Sequence, residues 1–198
     1  EVSRLEVVGP QVGAELRDAA VVALLTTLVL IAIYLFVRFH AWQLSLGAII
    51  AAIHDPIIVL GFFAATGTLF DLSVVAALLA VIGYSLNDTV VILDRIRENR
   101  QKHKGRDLYR LINDSVNETL SRTLITHFTV MLSLTGLIFF TVGTLREFAL
   151  AMLVGVITGT YSSVYIASPI VLWIEDILKA RREAEAAGKH GDPRTARA

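Results

Sequence analysis

Apolar residues along this chain come in long unbroken runs, not in the alternation of a sheet or the one-sided stripe of a soluble helix. Five segments reach the roughly 20 apolar residues that a helix needs to cross the hydrocarbon core of a bilayer. They are about Ala19–Val37, Leu44–Thr66, Leu72–Leu93, Thr123–Val142 and Phe148–Ile174. The pattern predicts an all-α integral membrane protein, a bundle of five transmembrane helices over 18–176. Residues 1–17 read as the end of an extracytoplasmic region where the chain enters the membrane. Residues 177–198 read as a basic, disordered cytoplasmic tail, because apolar residues thin out beyond Arg182. Between the third and fourth runs, Leu108, Leu111, Ile112, Val116 and Leu120 recur mostly at three or four residues. That spacing predicts a cytoplasmic amphipathic helix lying on the membrane surface within 94–122. The turns Gly67–Asp71 and Gly143–Glu147 are short, so the runs they join are antiparallel neighbours.

Composition sharpens this picture. Of 198 residues, 55% are hydrophobic and 18% charged, with a mean hydropathy of +0.63. Soluble domains carry about 25% charged residues, so a soluble globular domain is excluded. The absence of cysteine excludes disulfides, thiolate metal sites and a cysteine nucleophile. Net charge is zero, which leaves no electrostatic footprint for nucleic acid. That zero hides an uneven distribution. Arg38, the basic run from Arg95 to Arg110, and Lys179, Arg181, Arg182, Lys189, Arg194 and Arg197 fall on one side of the bundle, against Arg4, Arg17 and Arg146 on the other. Basic loops stay in the cytoplasm, so residue 1 is expected outside and the C-terminus inside. The segment before the first run carries Glu1, Glu6, Glu15 and Asp18, unlike a signal peptide. An outside start of this kind predicts an upstream part with at least one further span.

Charges within the runs are few, and each costs roughly 2.5–3.5 kcal/mol at mid-bilayer on insertion scales. Asp88 lies in the third run, where Tyr84, Ser85, Asp88 and Thr89 share a helix face with Asn87 beside it. On the fourth run, Arg122, Thr126, Thr129, Ser133 and Gly136 recur at helical spacing and predict a polar stripe turned toward Asp88. A buried carboxylate facing a mobile arginine takes up or releases a proton as the arginine moves, which is a proton relay. The same residues also suit a static interhelical clamp; the polar company and the arginine favour the relay. His54 and Asp55, next to Pro56, form a second polar site, which suits the lining of a water-filled path and is read first as structural, satisfying the backbone that proline interrupts or anchoring a neighbouring helix. His127 reads as a satisfied interior histidine, with no partner ligands at metal spacing. Gly155, Gly159, Ser163 and Ala167 recur every four residues, a small-residue stripe for close helix packing. No phosphate loop, nucleophile elbow, HExxH or GxGxxG stands out, and nothing points to an enzyme.

The third run with its flanks, Asp71 to Asn99 (DLSVVAALLAVIGYSLNDTVVILDRIREN), resembles the signature of the SecF family of bacterial protein-export membrane proteins. Val8–Gly13 (VGPQVG), His54-Asp55 and Asn117–Thr123 (NETLSRT) agree with it, in order, over the chain up to about Asp176. The resemblance implies a member of the proton-driven resistance–nodulation–division superfamily, and a fold that is half of a pseudo-two-fold membrane domain. It implies a complex with SecD at the SecYEG translocon, often with YidC and YajC, in the bacterial inner membrane. Preproteins are the substrate, and the proton gradient supplies energy with no cofactor or metal. It makes Asp88 the proton-linked carboxylate and Arg122 the arginine that governs it, the two residues that the helix faces single out together with the supporting polar network of Tyr84, Ser85, Asn87, Thr89 and Thr126. Family members ordinarily have six spans and a periplasmic domain between the first two, so the five runs correspond to the second to sixth. A scaffold that holds SecD, YidC and SecYEG together without proton work is the alternative. A drug or lipid exporter of the same superfamily ranks below both.

Overall fold

The computed structural model describes residues 10–67 and 71–190. Residues 1–9, most of the turn after Gly67, and 191–198 lie outside the described residues. The described chain folds as a bundle of long helices, with five helical stretches long and apolar enough to cross a membrane. Helix α1 (Pro10–Phe39) starts on a proline, whose missing N–H would have no partner in a first turn anyway. His40, in the left-handed region at φ 51°, reverses the chain into α2 (Trp42–Thr66). Helix α3 (Leu72–Lys102) is capped by Asp71, which accepts from the N–H groups of Ser73 at 2.9 Å and Val74 at 3.2 Å. Asp107 caps α4 (Leu108–Phe140) by accepting from the N–H of Arg110 at 3.1 Å. Helix α5 (Thr144–Ser162) passes through a π-helical turn, Ser163–Ala167, into α6 (Ser168–His190).

Two expectations change. The segment 94–122 is not one separate surface helix; it divides between the end of α3, a short loop and the start of α4. The apolar face read as lipid-seeking has a protein partner instead. Leu111 and Ile112 are buried in one cluster with Ile92, Leu93 and Ile96 of α3. No proline follows Leu108 in α4, so the helix runs on unbroken. With 31 residues, α3 is about 46 Å long and overshoots the ~30 Å hydrocarbon core. The second change is at the C-terminal end, where α6 continues through the segment predicted to be disordered as far as His190. The run Glu183-Ala184-Glu185-Ala186-Ala187 is made of strong helix formers, which hold a helix without an apolar face.

Helix α3 is the axis of the bundle, burying Val74, Ala77, Leu78, Val81, Ile82, Ser85, Asp88, Thr89 and Ile92. Helix α1 is peripheral, with Val22, Leu25, Val29, Leu30 and Val37 exposed and apolar on nearly every side. A helix apolar on nearly every side is stable against lipid or against further apolar helices. Glycines set the approach of α5 to α3. A Cβ on Gly155 would lie 2.1 Å from Val81 Cγ2 and 3.0 Å from Val81 Cβ; one on Gly159 would lie 2.9 Å from Ser85 Cβ. Ala167 meets α2, where a Cβ on Gly47 would come within 2.9 Å of the Ala167 carbonyl oxygen. Rotating Val81 cannot move its own Cβ, so Gly155→Ala must push two backbones apart. We expect it to cost about 1–3 kcal/mol, read as a lower unfolding temperature in detergent. Gly61→Ala, with open space around its Cβ, should leave that temperature unchanged or slightly raised.

Candidate functional site

Polar side chains that water would normally solvate are gathered inside the bundle, along the inward face of α3. Ser85, Asp88 and Thr89 are buried, Tyr84 is partly buried, and Asn87 is exposed on the opposite face. Asp88 is 5% exposed, and its Oδ1 accepts from the Thr123 hydroxyl of α4 at 2.8 Å. Its Oδ2 is buried without a hydrogen bond inside the chain, the single such side-chain atom among the described residues. A buried polar atom normally has a partner, so this oxygen marks the place as chemically special. His127, 2% exposed, stands beside it. Its Nδ1 pairs with the Thr160 hydroxyl of α5, and its ring centroid is 5.1 Å from that of Tyr84.

A second polar cluster lies between α2, α3 and α5. Asp55 is fully buried; its Oδ2 accepts from the hydroxyls of Ser85 and Ser162, the latter at 3.0 Å, and its Oδ1 lies 3.1 Å from His54 Nδ1. Next to it the hydroxyls of Thr89 and Ser163 are 2.7 Å apart. Ser162 and Ser163 meet at the start of the π-helical turn, a departure from α geometry that often accompanies function. The two clusters share α3. Ser85 serves Asp55, and Asp88, one turn on, serves α4.

The inward face of α4 is not the one predicted. Thr119, Thr123 and His127 point into the bundle, whereas Arg122, Thr126, Thr129 and Ser133 are exposed and Gly136 is half-buried. Helix geometry turns 100° per residue, so a stripe read one residue out of phase faces largely sideways. The outward hydroxyls need no partner helix. Thr126 donates to the Arg122 carbonyl at 2.9 Å, Thr129 to that of Ile125 at 2.8 Å, and Ser133 to that of Thr129 at 3.0 Å. Arg122 makes no ion pair with a described residue. It lines an open cleft of about 390 Å³ with Val91, Asp94, Arg95, Glu98 and Glu118. There Arg95 bridges Glu98 of its own helix, at 2.7 Å, and Glu118 of α4. Among the described residues, no three His, Asp or Glu side chains gather where they could hold a metal ion.

Thr123, Thr160 and Ser162 are the partners that sequence reasoning did not single out, and Ser163, read only as a packing residue, hydrogen-bonds with Thr89. A signal was available for Thr123 in its spacing: Thr119, Thr123 and His127 recur every four residues, as regularly as the stripe chosen instead.

A family model described as "Protein export membrane protein SecD/SecF, C-terminal" matches residues 1–176. The protein translocase subunit SecF of Rhodobacter capsulatus is 49% identical over 174 residues, 88% of this chain and 52% of that protein. SecF of Pseudomonas aeruginosa is 47% identical over 171 residues, 86% of this chain and 56% of its own. The chain thus spans about half the length of the curated relatives it matches. Among solved structures, the crystal structure of SecDF from Thermus thermophilus, described as a translocon-associated membrane protein, superposes with a TM-score of 0.81 at 43% identity. It covers 85% of this chain and 23% of that one. SecDF in a super-membrane-facing form gives 0.77 at 41% identity over 92% of this chain and 24% of its own.

Proposed function

Because the chain belongs to the SecD/SecF family of protein-export membrane proteins, we propose that it is the membrane-embedded part of an accessory subunit of the Sec translocation machinery. It sits in the bacterial cytoplasmic membrane with its basic end in the cytoplasm. It works with SecD beside SecYEG, and uses the proton motive force to promote preprotein translocation. Asp88 takes up and releases the proton, and Arg122 sets its charge state.

One observation carries this reading: a carboxylate buried in the apolar bundle is held by a single hydrogen bond, from Thr123, and keeps one oxygen unpaired within the chain. A structural carboxylate normally has a partner on each oxygen, as Asp55 has; one with an oxygen left unpaired has a place for a proton to arrive and leave. Arg122 stands one residue from Thr123 and 100° round the helix. A modest rotation of α4, or a swing of the long arginine side chain, brings the guanidinium toward Asp88 in an alternate state. The exposed small residues Ala76, Ala80 and Gly83, in line with Asn87 on the outer face of α3, suit close contact with a helix of the SecD half.

The test is export by the intact protein with SecD and SecYEG in proteoliposomes, with and without an imposed proton gradient. Asp88→Asn and Arg122→Ala are each expected to remove the gradient-dependent part. Full gradient-dependent export in both overturns the proton role and leaves a scaffold held by its helix contacts, in which the Asp88–Thr123 bond is only a clamp.

A further inference from the structure

At the basic end of the bundle, the α1–α2 turn, the last turns of α3, the loop before α4 and the start of α6 line a half-open cavity of about 370 Å³. That is within the size range of small-molecule sites. Its floor is apolar, made by Phe39, Leu44, Ile96, Leu108 and Val171. Its rim is cationic, made by Arg97, Arg100 and Lys104 with His40, and no acidic side chain lines it.

The rim keeps positive charge after its own ion pairs are counted. Arg100 is neutralised by Glu175, at 2.6 and 3.3 Å. Asp94 serves two guanidiniums, Arg38 at 2.7 Å and Arg97 only at 3.9 Å. Lys104 has no ion-pair partner among the described residues. Arg97 and Lys104 therefore hold largely uncompensated charge above an apolar floor. A neighbouring cavity of about 570 Å³ sets Arg100, Arg106, Lys179 and Arg182 against Asp107, Glu175 and Asp176, and Arg106 is paired besides with Asp114 at 2.5 Å, so its charges balance. The asymmetry belongs to the smaller cavity, not to the whole basic end.

Depth completes the argument. Trp42, exposed beside the cavity residue Ala41, is of the type that settles at the boundary between headgroups and acyl chains. A molecule reaching this cavity from the membrane meets cations at headgroup level and hydrocarbon-like walls just beneath. We propose that the cavity is a binding site for an anionic phospholipid. Arg97 and Lys104 hold its phosphate, and the first part of an acyl chain lies against the partly exposed Ala41 and Leu108. Basic pockets between transmembrane helices bind such headgroups on general electrostatic grounds. The cavity's α3 residues begin at Ile96, about two turns beyond Asp88 on the same helix, and its use by a lipid does not depend on the proposed proton role.

The experiment uses the intact protein in phosphatidylcholine nanodiscs doped with photoactivatable phosphatidylglycerol or, in a parallel arm, photoactivatable phosphatidylcholine. Cross-linked peptides are mapped by mass spectrometry. Phosphatidylglycerol should label peptides around Phe39–Leu44 and Ile96–Leu108 well above phosphatidylcholine. Lys104→Gln and Arg97→Gln should each lower that labelling about fivefold, the factor one basic residue contributes near an anionic surface. Lys104 is exposed, whereas Arg97 is partly buried and donates to the Arg38 carbonyl at 3.4 Å, so an unchanged unfolding temperature shows that each variant is folded. Lys179→Gln, in the balanced cavity, should leave the labelling unchanged. Equal labelling by the two lipids overturns the proposal. So does an equal fall in Lys179→Gln, which would mean a diffuse surface charge, or abolition by millimolar inorganic phosphate, which would mean a free-anion site.

Discussion

Asp88→Asn is expected to lower the gradient-dependent part of export by about 10- to 50-fold while leaving helix content and unfolding temperature close to those of the unsubstituted protein. The upper figure is the leverage of one proton: a charge crossing 100 mV exchanges about 2.3 kcal/mol, roughly a 50-fold shift in a two-state population. An asparagine at 88 keeps an oxygen for the Thr123 hydroxyl, now at 2.8 Å from Asp88 Oδ1. It cannot carry a proton on and off, so the leverage is lost and the α3–α4 contact is not. Removing a buried charge also removes its desolvation cost, so stability should hold or rise. Asp88→Glu keeps the chemistry and displaces it by a methylene, and should retain part of the gradient response. Thr123→Val, which removes only the hydrogen bond, should reduce export less than Asp88→Asn. Export that stays fully uncoupler-sensitive in Asp88→Asn would refute the assignment.

The contrast between Asp88 and Arg122 also shows what a membrane sequence reveals and what it hides. The five apolar runs were legible because length and the near absence of charge suffice to define a span. The inward face of α3 was legible because an aspartate has no economical way to face lipid, and Ser85 and Thr89 lie on its side of the helix. The face of α4 was not. Threonine and serine can return their hydroxyls to the carbonyl one turn back, as Thr126, Thr129 and Ser133 do, so a polar stripe need not seek the interior. Nor does the apolar pattern help, since leucine is as content against lipid as against protein. Leu124, Ile125 and Phe128, all exposed, would read as core in a soluble helix. The Asp55 cluster was hidden for another reason. Its donors come from α3 and α5, up to 107 positions away, and no local spacing connects them.

Asp55 should behave in the opposite way to Asp88. Its carboxylate is fully buried and approached by Ser85 of α3, Ser162 of α5 and the neighbouring His54, so it ties three elements together. Asp55→Leu strands two buried hydroxyls and an imidazole, and is expected to cost about 3–5 kcal/mol, at about 1–3 kcal/mol for each buried polar group left without its partner. In detergent this is a large fall in unfolding temperature, and in membranes a loss of intact protein to proteolysis. Asp55→Asn is milder, about 1 kcal/mol, because an amide oxygen still accepts from both serines and the His54 tautomer adjusts to the amide N–H. Ser85→Ala and Ser162→Ala, which share one acceptor oxygen, should be non-additive by 0.5 kcal/mol or more in a double-mutant cycle. An unfolding temperature unmoved by Asp55→Leu would remove the structural role. The asparagine variant then separates the two uses of a buried carboxylate. If Asp55→Asn folds and exports with its gradient response intact, Asp55 is a tie. If it folds but loses that response as Asp88→Asn does, the proton path passes through Ser85 and includes both carboxylates.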